Sequence, residues 1–248
     1  MPMGRRWGLV RAAEGPAGTV CVRTEPWPAL GWRILAPLFV ADAVLVALHV
    51  GSKLILGRVP QLVDLDAEGN LSSWWSSAQL LVAGALVAVI VVRNCRTDHR
   101  AWILAGLSAL LIAMSADETA SFHKRLGGYL DLLIARQGSL LSHTGYWPLI
   151  IGVPAIAMIG YTLWMCASIL AEGRGCLGRF AAGLAVLFSG AIGIELLNNF
   201  KSIDLGGAFE VLEEGLEMLG GSLLVWAAFG LVQRHRSTEA AVRLLRPQ

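Results

Sequence analysis

Glu210-Val-Leu-Glu213-Glu214-Gly-Leu-Glu217 opens the last apolar segment of this chain. In an α-helix these four carboxylates fall at i, i+3, i+4 and i+7, on one stripe about 100° wide over two turns. Like charges this close repel, and an ionised glutamate at membrane depth is costly. The stripe therefore requires compensation: a metal, bound protons, or Lys, Arg and His from neighbouring helices. A helix bundle that brings partners to this face is the fold the stretch demands.

The rest of the composition agrees. The chain has 248 residues, of which 55% are hydrophobic and only 15% charged, the balance of an integral membrane protein rather than a soluble or nucleic-acid-binding one. Six apolar segments approach the roughly 20 residues a bilayer requires: Ile34–Leu56, Trp74–Val92, Trp102–Ala120, Tyr146–Leu170, Phe180–Phe200 and Ala208–Val232. The fold class expected is all-α, a polytopic six-transmembrane-helix bundle.

Basic residues orient it. Arg5, Arg6, Arg11, Arg23 and Arg33 precede the first span. Arg93, Arg96 and Arg100 follow the second, Arg174 and Arg179 the fourth, and Arg234, Arg236, Arg243 and Arg246 the sixth. With six spans these four regions share one side, which the positive-inside rule makes cytoplasmic, so the expected topology is N-in/C-in. Residues 1–33 then form a cytoplasmic tail, 34–232 the membrane domain and 233–248 a basic cytoplasmic tail. Cys21, Cys95, Cys166 and Cys176 fall on or near that side and are expected as thiols. Arg5-Arg6 resembles a twin-arginine start, but Glu14, Gly15 and Pro16 cut off any apolar leader.

Along the chain, Asp42, His49 and Lys53 share a face of the first span. Trp74-Trp75 and Tyr146-Trp147 read as interfacial anchors, and Ser76 and Gln79 share a face of the second span. Ser115 and Glu118 have capping-box spacing, so a new helix is expected within Ser115-Ala-Asp117-Glu118-Thr-Ala-Ser-Phe-His123. In an unbroken helix His123 would stand about 140° from Glu118, so the two meet only if the helix breaks. The fifth span carries a small-residue ladder, Ala181, Ala185, Ser189 and Gly193, suited to close helix approach. A polar stripe of Glu195, Asn198, Asn199 and Ser202 lies opposite. Folding the fifth and sixth segments back on each other brings Glu195 level with Glu213–Glu217.

Ionisable residues at membrane depth are functional candidates, and all but Asp42 gather in the outer half. Hard oxygen ligands with imidazoles suit a divalent transition metal, Zn, Fe or Mn. The expected ligands are Glu118, Glu195, Glu214 and Glu217, with His123 and His49, and Asp117 and Glu118 as candidate catalytic acid/base groups. No His-Glu-x-x-His or Glu-x-x-His motif is present. Metal-assisted chemistry on a lipidic substrate is the first functional expectation. The alternatives are proton- or cation-coupled transport, and a non-catalytic accessory subunit of a membrane complex. The partners expected are membrane lipids, with a homo-oligomer or larger complex, and no nucleic acid.

The blocks Ser115-Ala-Asp117-Glu118-Thr-Ala-Ser-Phe-His123 and Glu213-Glu214-Gly-Leu-Glu217-Met-Leu-Gly resemble those of a group of uncharacterised bacterial multi-pass membrane proteins. The resemblance covers mainly the third, fifth and sixth spans. It implies a bacterial inner (plasma) membrane location and that the two blocks belong together, and it carries no activity. The histidine pair of ceramidase-like membrane hydrolases, a retinal-type lysine and a nucleotide-binding loop are all missing from the sequence.

Overall fold

The computed structural model describes residues 27–65, 67, 69–95, 100–133, 146–171, 175–198 and 207–244. Among them regular structure is entirely helical. Six helices are long and apolar enough to cross a membrane: Gly31–Leu56, Leu71–Asn94, Ala101–Ala120, Pro148–Ala171, Cys176–Leu197 and Ala208–His235. They agree with the expected segments to within a few residues. The spans belong to α1 (Trp27–Leu56), α2 (Leu71–Asn94), α3 (Ala101–Ala120), α5 (Val153–Ala171), α6 (Cys176–Phe188) with α7 (Glu195–Asn198), and α8 (Ala208–Leu244). A short α4 (Phe122–Leu133) follows α3. Helix α8 continues beyond its membrane-length stretch to Leu244. Asn199, Ser202, His143 and the first 26 residues of the N-terminal tail lie outside the described residues.

The hub is α8. Of its apolar stretch 61% is buried, against 22% for the first span and 17% for the fourth, so α8 is the central post and α1 and α5 are peripheral. Glycine makes the closest approach. A Cβ on Gly220 would stand 2.6 Å from the backbone nitrogen of Leu187, one on Gly183 2.9 Å from Leu224 Cγ, and one on Gly190 2.7 Å from the Glu213 carbonyl oxygen. The fifth span therefore meets α8 through Gly183, Leu187 and Gly190. The ladder of Ala181, Ala185, Ser189 and Gly193 does not make this contact, and its Ala185 and Ser189 are exposed. Small size allows close approach, but two backbones meet where Cβ is missing altogether.

Helices α2 and α3 are laced by serines. Ser77 Oγ donates to the Ser115 carbonyl and Ser115 Oγ donates to the Ser77 carbonyl, each at 2.8 Å, and Ser108 Oγ donates to the Gly84 carbonyl at 2.9 Å. Ser115 is thus a cross-helix clamp and not the cap its spacing suggested. A new helix does begin nearby, after Ser121 turns the chain through the left-handed region at φ 49°.

Asn70 caps α2. Its Oδ1 accepts from Ser73 N at 2.9 Å and from Ser72 Oγ at 2.7 Å, while its Nδ2 donates to the carbonyls of Asp64 and Ala67. The side chain therefore ties the preceding loop to the helix start. Asn70→Ala is expected to lower stability by about 1–2 kcal/mol, the upper range for an N-cap. Thermal unfolding of the purified protein in detergent measures it, and an unchanged midpoint would count against this tie.

Two segments depart from α-helical winding. Pro148–Gly152 and Ser189–Ile194 are π-helical. They meet: a Cβ on Gly152 would stand 2.8 Å from Ile192 Cδ1. Wide turns of this kind often mark functional sites.

Candidate functional site

The break at Ser121 creates the first part of the site. Asp117, in the last turn of α3, accepts the backbone N–H of His123 through Oδ1 at 3.0 Å, and its Oδ2 lies 2.5 Å from His123 Nδ1. The carboxylate thus caps α4 and fixes the imidazole together. The break also removes the 140° separation, and Glu118 and His123 line one cavity.

Trp147 adds the second part. Its ring lies against His123, with centroids 4.6 Å apart, and its Nε1 donates to Glu195 Oε1 at 3.3 Å. It was expected to anchor at the interface, yet it is only 7% exposed. Gly127 makes room for it, because a Cβ there would come within 2.6 Å of Trp147 Cβ. Gly127 thus seats the indole against α4.

The acidic stripe of α8 completes the site. Glu213 lies within hydrogen-bonding reach of Glu195, and Glu217 has Glu118, Glu214, Glu213 and Lys124 as charged neighbours. Carboxyl groups from two successive antiparallel spans therefore do meet, as the folding back of the fifth and sixth segments requires.

These groups line a cavity of about 270 Å³. Its upper wall is Asp117, Glu118, His123, Lys124, Glu213, Glu214 and Glu217, and its lower wall is apolar, including Leu80, Leu110, Met114, Ile159, Leu187 and Phe188. Both π-helical segments contribute, through Ile151 and Gly152 and through Ala191 and Ile192. The polar end lies where the first, third and fifth spans end and the other three begin, so the cavity belongs to one face of the membrane domain. Glu217 is nine residues past Ala208, about 14 Å along the helix, so the acids reach well below that face.

Other candidates lie apart. His49 is buried, accepts the Leu65 N–H through Nδ1 at 3.0 Å and has Asp64 Oδ1 at 3.5 Å. It pins the loop after α1 and does not line the cavity, so it does not join the expected ligand set. Lys53 and Glu210 flank Gly207, where a Cβ would lie 2.6 Å from Lys53 Nζ and 3.6 Å from Glu210 Oε2. Asp42 forms a separate buried knot. Its Oδ1 accepts from Trp75 Nε1 at 2.7 Å and Gln79 Nε2 at 3.0 Å, and its Oδ2 accepts from Ser222 Oγ at 2.7 Å. Trp75 is therefore turned inward, whereas Trp74 stays 62% exposed as an interfacial residue would. Among the described residues no three His, Cys, Asp or Glu side chains converge as a metal-holding group.

Six membrane-length helices, five of them lining a cavity that is acidic above and apolar below, define a polytopic α-helical membrane protein with an amphipathic internal site. The chain belongs to the family described as domain of unknown function DUF8692, whose pattern matches residues 37–232. That match takes in four of the six spans whole, most of the first and the sixth, and every cavity residue. Neither the curated proteins nor the solved structures gave a match.

Proposed function

We propose that the cavity binds a membrane amphiphile bearing a cationic head group, with the nitrogen among the carboxylates and the chain along the apolar wall. The supporting observation is the sorting of the lining. Asp117, Glu118, Glu213, Glu214 and Glu217 outweigh Lys124 and His123 at one end, and apolar side chains line the other. An excess of acids in a low-dielectric site favours a cation that brings its own charge. An organic cation needs no tight convergence of ligands, which suits the arrangement better than the Zn, Fe or Mn expected from the residue types. The volume fits the same reading. At about 270 Å³ it falls just under the roughly 300–1,000 Å³ of ordinary ligand sites. It takes a head group and a stretch of one chain, leaving the remainder to pass out between helices.

Asp117 holds the His123 imidazole against this head group, where it would serve as the acid/base group of any chemistry performed on the ligand. The arginine distribution supports a cytoplasmic location for both termini, and hence a cavity that opens toward the opposite face of the membrane.

The test is equilibrium binding of radiolabelled tetradecylamine and tetradecanoic acid to the protein in phosphatidylcholine nanodiscs, with empty nanodiscs subtracted. The amine is expected to bind and the acid not. Glu217→Gln is expected to weaken the amine about tenfold or more, since a charge-assisted hydrogen bond contributes roughly 1.5–3 kcal/mol. Equal binding of the two probes, or none by either, removes the proposal.

A further inference from the structure

One wall of the cavity carries a hydroxyl that the amine alone does not use. Ser76 lines the cavity, is 3% exposed, and its Oγ is buried with no hydrogen-bond partner. Its neighbours on the same helix are satisfied: Ser73 Oγ donates to Asn70 Oδ1, and Ser77 Oγ donates to the Ser115 carbonyl. An unpaired buried hydroxyl is uncommon in a folded protein and is worth explaining by what is missing beside it.

The depth of Ser76 follows from the packing of α2 on α8. Both helices begin at the same membrane face, so they run parallel. Gln79 Nε2 donates to Ser222 Oγ at 2.9 Å, which sets their register. Three residues earlier on each helix, Ser76 stands level with Leu219. It is therefore only about 3 Å, two residues of helical rise, deeper than Glu217. One turn beyond Ser76 on the same face is Leu80, where the apolar wall begins. Ser76 thus marks the boundary between the acidic and apolar parts of the lining, just below the carboxylates.

A head group that reaches this boundary meets the acids first, then a single neutral hydrogen-bonding group, then hydrocarbon. We infer that the ligand is a long-chain amino alcohol, its ammonium held by the glutamates and its hydroxyl paired with Ser76. This rests on the amphiphile reading above and narrows it to one class. A hydroxyl suits Ser76 because it both donates and accepts, so it pairs in either orientation. A second ammonium would place a charge against Leu80, and a carboxylate there would meet Glu217.

The test compares two probes in the same nanodisc assay: 1-aminotetradecan-2-ol, and tetradecylamine, which lacks only the hydroxyl oxygen. With the wild-type protein the amino alcohol is expected to bind about threefold to tenfold more tightly, the range for one net hydrogen bond. In Ser76→Ala the two affinities are expected to converge, with the deoxy amine unchanged. Equal affinities in the wild type overturn the inference, as does a preference that survives Ser76→Ala. The wild-type comparison stands by itself if that variant fails to fold. In either of those cases the amine still binds and the broader reading stands. If neither probe binds, the amphiphile reading falls and the inference with it.

Discussion

Gly220→Ala is expected to be the most damaging single methyl in the protein, lowering stability by about 3 kcal/mol or more. The added Cβ would stand 2.6 Å from the nitrogen and Cβ of Leu187 and 2.7 Å from its Cα. Most of these are backbone atoms, so no rotamer change relieves the overlap, and α6 must move away from α8. That movement opens the contacts at Gly183 against Leu224 and Gly190 against Glu213, because all three lie along one seam. It also disturbs the cavity, whose wall includes both Leu187 and Glu217. Thermal or detergent-induced unfolding of the purified protein measures the loss. Gly51→Ala is the control: nothing lies within 4 Å of its added Cβ, and alanine is the better helix former. A Gly220→Ala protein as stable as the Gly51→Ala protein would mean that α6 and α8 do not pack through these glycines.

This seam also explains what the sequence revealed and what it concealed. The spans were legible because a bilayer sets their length and polarity, and that constraint acts on each segment alone. The acidic centre was legible because Glu118, Glu195, Glu213, Glu214 and Glu217 are too costly at depth to be scattered without compensation. Helix faces were harder. In a soluble protein the apolar stripe points inward, but in a bilayer lipid and core are both apolar, so periodicity no longer separates them. Ala181, Ala185, Ser189 and Gly193 formed a regular ladder, yet Ala185 and Ser189 are exposed and Gly183 and Gly190 make the contact. Trp75 and Trp147 illustrate a related limit. An indole at a span end satisfies its N–H equally well in the interface or on a buried carboxylate. Only the fold reveals that Asp42 and Glu195 accept from them. The π-helical turns at Pro148–Gly152 and Ser189–Ile194 have no compositional signature, because they arise where two helices press together, Gly152 on Ile192.

Asp42→Leu is expected to destabilise the protein by about 2–4 kcal/mol. The carboxylate accepts three hydrogen bonds from α2 and α8, and leucine leaves Trp75 Nε1, Gln79 Nε2 and Ser222 Oγ to find other partners. Hydrogen bonds between membrane helices average only about 0.6 kcal/mol each, which alone gives about 2 kcal/mol for three. Orphaned buried donors raise that figure, since each costs roughly 1–3 kcal/mol. Gln79 softens it, because its Nε2 also donates to Ser222 Oγ at 2.9 Å and keeps that bond. Asp42→Asn preserves an acceptor for Trp75 and Gln79 and is expected to lose less than half as much. Comparing the two variants also separates the functional readings. A proton relay through the membrane would need an ionisable group at position 42, so Asn would abolish it as completely as Leu. A staple needs only the acceptor geometry. Below this knot α8 continues through Leu224, Ala227, Ala228, Leu231 and Val232, all buried and apolar, so protons arriving at Asp42 would meet a closed wall on that helix. Asp42→Asn is therefore expected to bind tetradecylamine as the wild type does and to keep most of its thermal stability. A variant that folds normally but loses binding would instead make Asp42 part of the ligand site.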